Sequence, residues 1–178
     1  MERMDRLVTQ MLALSRLEAG SAVPAMQEVA WPAVVEQAMS DCLPLAERRR
    51  IELVCDWVQP AGHVPLPLLG DEALITVLLR NLLDNAVRYA PAGSQVLLRI
   101  GETSLEVEND GEPLPAEQIA RLGERFYRPD GQDEIGSGLG LSIVQRIAEH
   151  CGGTVLYRRG PDDRGLVVEL RFPQGPAA

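Results

Sequence analysis

Apolar residues return every three to four positions through "DEALITVLLRNLLDNAVRYA", residues 71–90, with Leu74, Leu78, Leu82, Ala86 and Tyr89 along one face. That period predicts a helix, the strongest in the chain. The same spacing over Met4, Leu7, Val8, Met11, Leu14 and Leu17 (or Ser15) predicts another over residues 1–20, stopped at Gly20. Its apolar stripe needs a partner helix, in this molecule or another. Residues 21–28 read as a linker. "QEVAW" is a short strand candidate, and Pro32 suits the first turn of a helix continued by "AVVEQAMSDCLPLAERR". Pro44 counts against that helix running unbroken. Apolar, β-branched runs predict strands in "IELVCDWV", "SQVLLRIG", "SLEVEND", "GTVLYRR" and "GLVVELRF". "QPAGHVPLPLLG" reads as a Pro-rich connector. Residues 111–137 are polar, rich in Gly and Pro, and too long for an ordinary loop. They predict a functional lid with a short helix near 115–122. The architecture expected is α+β: a two-layer sandwich, strands paired in hairpins and helices gathered on one face.

Composition narrows the function. A net charge of −9 over 178 residues argues against a nucleic-acid surface, which needs a basic patch. Cys42, Cys55 and Cys151 make no metal-binding or C-x-x-C spacing and read as buried thiols in a reducing compartment. No apolar run reaches the roughly 18 residues of a membrane span, so the chain is expected to behave as a soluble domain.

Chemistry concentrates in two places. In "GSGLGLSIVQRIAEHCGG", residues 136–153, Gly136, Gly138 and Gly140 alternate just before a helix expected over 139–150. Bare backbone at a helix start can close on phosphate; a plain glycine turn is the other reading. In "NLLDNAVRYAP", Asn81 and Asn85 share one helical face, and Arg88 and Tyr89 follow within a turn. Amide oxygens can serve a hard cation such as Mg²⁺, and a guanidinium can serve phosphate. A solvated helix edge would carry the same residues.

Asn81-x-x-x-Asn85 with Arg88-Tyr89, then "VENDGEPLP", "ERFYRP" and "GSGLGLSIV", in this order and spacing, resembles the four nucleotide-binding boxes of bacterial two-component sensor histidine kinases. The resemblance covers about residues 26–173. Residues 1–20 are similar to the second helix of that family's dimerisation and phosphoacceptor hairpin, with the ATP-binding catalytic domain assigned to 29–178. It implies a Bergerat-type sandwich, a mixed sheet backed by helices with Mg²⁺–ATP under a mobile lid. By position, Asn85 would be the Mg²⁺ ligand and Asn81 its catalytic neighbour near the phosphates. Arg88 and Arg128 would reach phosphate, and Tyr89 would lie beside the nucleotide. Phe126 and Tyr127 would anchor the lid. Gly136, Ser137, Gly138, Leu139, Gly140 and Leu141 would close over the phosphates.

Two residues depart from the family's Asp-x-Gly-x-Gly box: the aligned run is Asn109, Asp110, Gly111, Glu112, Pro113. Asn109 can still accept a hydrogen bond from adenine, but without charge. Asp110 is the alternative reader.

The family phosphorylates a histidine in an upstream helix. His63 lies in a loop sequence and His150 ends a helix, so neither is an acceptor, and the chain reads as a fragment of a longer sensor. The resemblance then implies a response regulator as partner, a homodimer through the helical hairpin, and a cytoplasmic domain of an inner-membrane protein. Hydrolysing relatives carry Glu where Asn81 stands; an amide cannot act as a general base. A non-catalytic nucleotide-binding or dimerisation module that meets a response regulator is the alternative. A Rossmann site fits poorly, because the glycines follow G-x-G-x-G and no βαβ unit is expected before them.

Overall fold

In the computed structural model the described residues are 27–58, 66–127 and 138–173, with Val8, Leu12 and Ser15 ahead of them. Those three are helical, as the period over residues 1–20 predicts, and exposed; the rest of 1–26, His63, Arg128, Gly136 and Ser137 lie outside the described residues.

Helix α1, Trp31–Arg49, starts where a strand was expected: only Gln27–Glu28, β1, is extended, and Trp31 already belongs to the helix, with proline in its first turn. The Trp31 ring is fully buried, and its Nε1 donates to the Leu66 carbonyl at 2.6 Å. Pro44 does not break α1. Both Pro44 and Ser40, four residues earlier, are exposed, so the carbonyl that loses its helical N–H belongs to the water side. The helix ends at Arg50 in a left-handed cap.

Strand β2, Glu52–Trp57, follows. The supposed connector contains β3, Leu69–Gly70, antiparallel to β1. Helix α2, Glu72–Tyr89, is capped by Asp71, whose Oδ1 accepts from the Ala73 N–H at 2.8 Å. Its leucine stripe is buried, as its period requires. Then come β4, Gln95–Ile100, and β5, Ser104–Asn109, as a hairpin. Helix α3 is short, Ala116–Ala120. Helix α4, Gly140–His150, leads to β6, Thr154–Arg158, and β7, Leu166–Arg171, the second hairpin.

The main sheet has five strands in the order β2-β4-β5-β7-β6. It is mixed, because β2 runs parallel to β4. This is the mixed sheet that the resemblance implies, with hairpins only at β4–β5 and β6–β7. β2, α2 and β4 form a βαβ crossover, although the lid, not that unit, leads into the glycines.

Alternation sorts the sheet's faces. Val96, Leu98, Ile100, Leu105, Val107, Val168 and Leu170 are buried in the core. The opposite face carries ion pairs such as Arg99–Glu106 at 3.0 Å and Arg158–Glu106 at 2.8 Å. α2 packs between α1 and α4 and over β4 and β5. Asn109 falls in the inward series with Leu105 and Val107, so the end of β5 points an amide at the helical layer. No helix of the described residues is long and apolar enough to cross a membrane.

Candidate nucleotide site

Asn81 is only 5% exposed in the middle of the α2 leucine stripe. Burying an amide is costly unless it is bonded, and its Nδ2 donates to the Val77 carbonyl one turn back at 2.8 Å. That bond orients the amide. Its Oδ1 lies 3.6 Å from where a Cβ would stand on Gly140, so the first turn of α4 passes against it. Asn85, one turn on, is half-buried.

Arg88 turns back on its own helix. Its Nε meets Asp84 Oδ2 at 2.9 Å and its Nη2 reaches Asp84 Oδ1 at 3.4 Å. Tyr89 closes α2 half-buried, and its carbonyl oxygen lies 3.6 Å from a Cβ built on Gly111. The end of α2 and the Asn109–Gly111 turn are therefore neighbours.

The two candidate base readers differ in burial. Asn109 is 6% exposed, and its Nδ2 donates to the Asp110 carbonyl at 2.9 Å, which leaves Oδ1 as an acceptor. Asp110 is exposed. Its Oδ1 accepts from the Gly111 N–H at 2.7 Å and from Arg164 Nε at 3.3 Å. With Asn109, Gln95, Leu97, Glu108 and Arg164 it lines an open depression of ≈ 450 Å³. Leu166 pairs with Asn109 across β5 and β7 and is buried beside it. Nothing in an apolar strand marks Leu166 as the neighbour of Asn109; only the register does.

The lid meets α4 through main chain. The Phe126 N–H donates to the Gly138 carbonyl at 3.1 Å, and a Cβ on Gly138 would come 2.8 Å from Phe126 Cα. Gly138 also holds φ +67, so glycine is required twice over. The expected anchoring by Phe126 takes a different form: its ring is 70% exposed, and its backbone makes the contact. Tyr127 is half-buried under Arg121, whose guanidinium carbon lies 4.1 Å from the ring centre. Leu139, Gly140 and Leu141 are half-buried at the start of α4, and the Leu139 carbonyl accepts from Ser142 Oγ at 2.9 Å.

Perturbed titration lies off these residues. Burial, then Asp56, pushes the Cys55 thiol up, and burial, then Asp71, raises Cys151. None of the three cysteines forms a disulfide among the described residues. Burial, then Glu149, raises Tyr157, whose hydroxyl has no hydrogen-bond partner among the described residues. His150 is exposed in the last turn of α4, where a cation suits the helix end.

Comparison with known proteins identifies the family. The family model described as histidine kinase-, DNA gyrase B- and HSP90-like ATPase matches residues 70–176. The chain belongs to that family, and within it to the ATP-binding catalytic domains of sensor histidine kinases. It is 39% identical over 156 residues to Sensor protein QseC of Escherichia coli (strain K12), covering 88% of this chain and 34% of QseC. It is 32% identical over 178 residues to Sensor protein kinase PmrB of Pseudomonas aeruginosa, covering 97% and 36%. The chain thus spans about a third of the length of these curated relatives. Among solved structures, the cytoplasmic segment of histidine kinase QseC aligns with a TM-score of 0.68 at 27% identity, over 98% of this chain and 95% of that one. Full-length ShkA in complex with AMPPNP aligns at 0.74 and 28%, over 97% and 36%.

Proposed function

We propose that this chain binds Mg²⁺–ATP between α2, the Asn109–Gly111 turn and the start of α4, and donates the γ-phosphoryl to a histidine on a dimerisation helix that is not among these residues. The observation that carries the reading is the approach of Gly140 to Asn81, where a Cβ on the glycine would stand 3.6 Å from Oδ1: a buried, oriented amide facing a glycine at a helix start. A helix start offers N–H groups without intrahelical partners, which suits phosphate. Asn109 Oδ1 accepts from the adenine amino group. Arg88 and Arg128 neutralise phosphate charge, Arg88 by exchanging Asp84 for a phosphate oxygen. Tyr89 lies beside the nucleotide, and Phe126, Tyr127 and the 136–141 run close over it.

The donors present fit Mg²⁺. Asn85 is a half-buried oxygen donor one turn from Asn81, and among the described residues no three His, Cys, Asp or Glu side chains form a cage. An ion that keeps waters and phosphate oxygens needs no such cage. Bound beside Asn85, it would supply charge neutralisation at the phosphates. The protein's part is positioning and electrostatics, which is most of what phosphoryl transfer asks. Asn81 cannot take a proton, which favours transfer over hydrolysis. The phosphoryl group would pass on to a response-regulator aspartate. The working assembly would be a homodimer through a helical hairpin that includes residues 1–20, joined by 21–28 to the catalytic domain at 29–178, on the cytoplasmic side of the bacterial inner membrane.

A non-catalytic nucleotide-binding module is the second reading, favoured by Asn109 and Pro113 in the base-reading run. Titration of the chain with ATP, with and without Mg²⁺, followed by phosphorylation of a supplied acceptor hairpin, separates the two. Mg²⁺-dependent binding with phosphohistidine on the hairpin is expected, and Asn85→Ala should lose both. Binding without transfer selects the second reading. No binding overturns both.

A further inference from the structure

The turn between β6 and β7 reaches back to one short stretch of chain at three points. Arg159 Nε donates to the Leu114 carbonyl at 2.9 Å. Arg164 Nε meets Asp110 Oδ1 at 3.3 Å. The Gly165 N–H donates to the Gly111 carbonyl at 3.0 Å. All three anchors fall within Asp110–Leu114, the run that leaves Asn109 and opens the lid.

The turn is shaped for this. Asp162 and Asp163 hold left-handed φ of 55 and 61, and Arg159 Nη1 clamps Asp163 at 2.6 Å. Gly165 has φ +62, and a Cβ there would overlap the Asn109 carbonyl oxygen and lie 2.9 Å from Asp110 Cα. Only glycine lets the two backbones approach so closely.

We propose that Arg159, Arg164 and Gly165 are positioning residues that set the base preference of the nucleotide site. The proposal rests on the reading that Asn109 faces a purine. A carboxamide carries an acceptor and a donor of nearly equal size, so a neutral Asn selects a base only if its orientation is held. Here Nδ2 is held by the Asp110 carbonyl, and that peptide is held in turn by the brace on either side of it: Arg164 on the Asp110 side chain and Gly165 on the Gly111 carbonyl. Oδ1 then accepts from a base amino group. With the brace loosened, the Asp110–Gly111 peptide can rotate and the amide can turn over. Nδ2 would then donate to a base carbonyl equally well.

The test is calorimetric titration of the chain with Mg²⁺–ATP and with Mg²⁺–GTP. The parent should prefer ATP. Arg159→Gln/Arg164→Gln should weaken ATP binding by roughly three- to tenfold and move the ATP:GTP ratio toward one. Arg159→Lys/Arg164→Lys should keep most of the ratio. General loosening of the fold would weaken both nucleotides together and leave the ratio in place, so an unchanged ratio in the Gln variant overturns the proposal. Should the double variant fail to fold, Arg164→Gln alone decides, since that side chain is half-exposed; its ratio should fall at least about twofold. A parent that binds neither nucleotide overturns this proposal and the nucleotide reading together. A parent that prefers ATP with variants that prefer it equally overturns this proposal alone.

Discussion

Arg88 and Asp84 form a fork on α2, 2.9 Å at Nε and 3.4 Å at Nη2, with side chains only 23% and 14% exposed. An ion pair this far from water is weak as a stabiliser but costly to break on one side. Arg88→Gln should destabilise the chain by about 1–3 kcal/mol, because Asp84 keeps its charge but loses the guanidinium fork. Asp84→Asn combined with Arg88→Gln should recover at least half of that loss. Urea melts of the two single variants and the double variant measure the coupling, and additive losses would show that the fork contributes nothing.

Gly138→Val places a branched Cβ against the Phe126 backbone at a left-handed position. The junction lies on the rim of the core, so the thermal midpoint should fall only modestly while nucleotide affinity drops at least about tenfold. Calorimetry beside a circular-dichroism melt checks both. Hydrogen exchange over 112–140 should show added protection with Mg²⁺–ATP in the parent and none in the variant.

Asn109→Asp should act in opposite directions on folding and binding. A carboxylate at a position 6% exposed loses the bond to the Asp110 carbonyl and faces an oxygen instead, so the nucleotide-free chain should lose about 1–3 kcal/mol. A charged acceptor for the adenine amino group should tighten ATP by about 0.5–1.5 kcal/mol. Melts with and without saturating ATP should therefore diverge more in the variant than in the parent. Weaker ATP binding would remove Asn109 from the base site.

Tyr157→Phe should leave the chain as stable as the parent or raise it by about 1 kcal/mol, since the buried hydroxyl has no partner among the described residues. The pH dependence has a definite sign. Tyr157 ionises above its ordinary value of 10.0 in the folded chain because burial, then Glu149, disfavours the anion. Its contribution is complete below pH 10.0 and is lost as pH rises beyond it. The variant should lose less stability than the parent above that pH, and parallel curves would contradict the assignment.

The long elements were legible because period and length agree. The α2 leucines, the α4 stripe and both hairpins stand where the alternation puts them. Short elements were legible in part: α3 falls within the helix expected near 115–122 and Gln27–Glu28 within the QEVAW candidate. Leu69–Gly70 is too brief to show a period and exists only by pairing with Gln27–Glu28. Pro44 misled because propensity does not say which side of a helix faces water. The parallel match of β2 to β4 has no local mark at all. Of the candidate site, the Asn81, Asn85 and glycine positions were readable from spacing. Arg159, Arg164 and Leu166 were not, because the β6–β7 turn and the sheet register bring them to Leu114, Asp110 and Asn109 from more than forty residues away.

The two hairpins close over short loops and need little from the rest of the chain. The joins of β2 to β4 and of β5 to β7 are long-range. Each waits on a helix laid down in between, α2 for the first and α4 for the second. The approach of Gly140 to Asn81 and of the Arg164 turn to Asp110, on which the proposed site depends, comes only after both joins are made. A chain arrested before either one has secondary structure but no site, so nucleotide binding would serve as a readout of the last folding step.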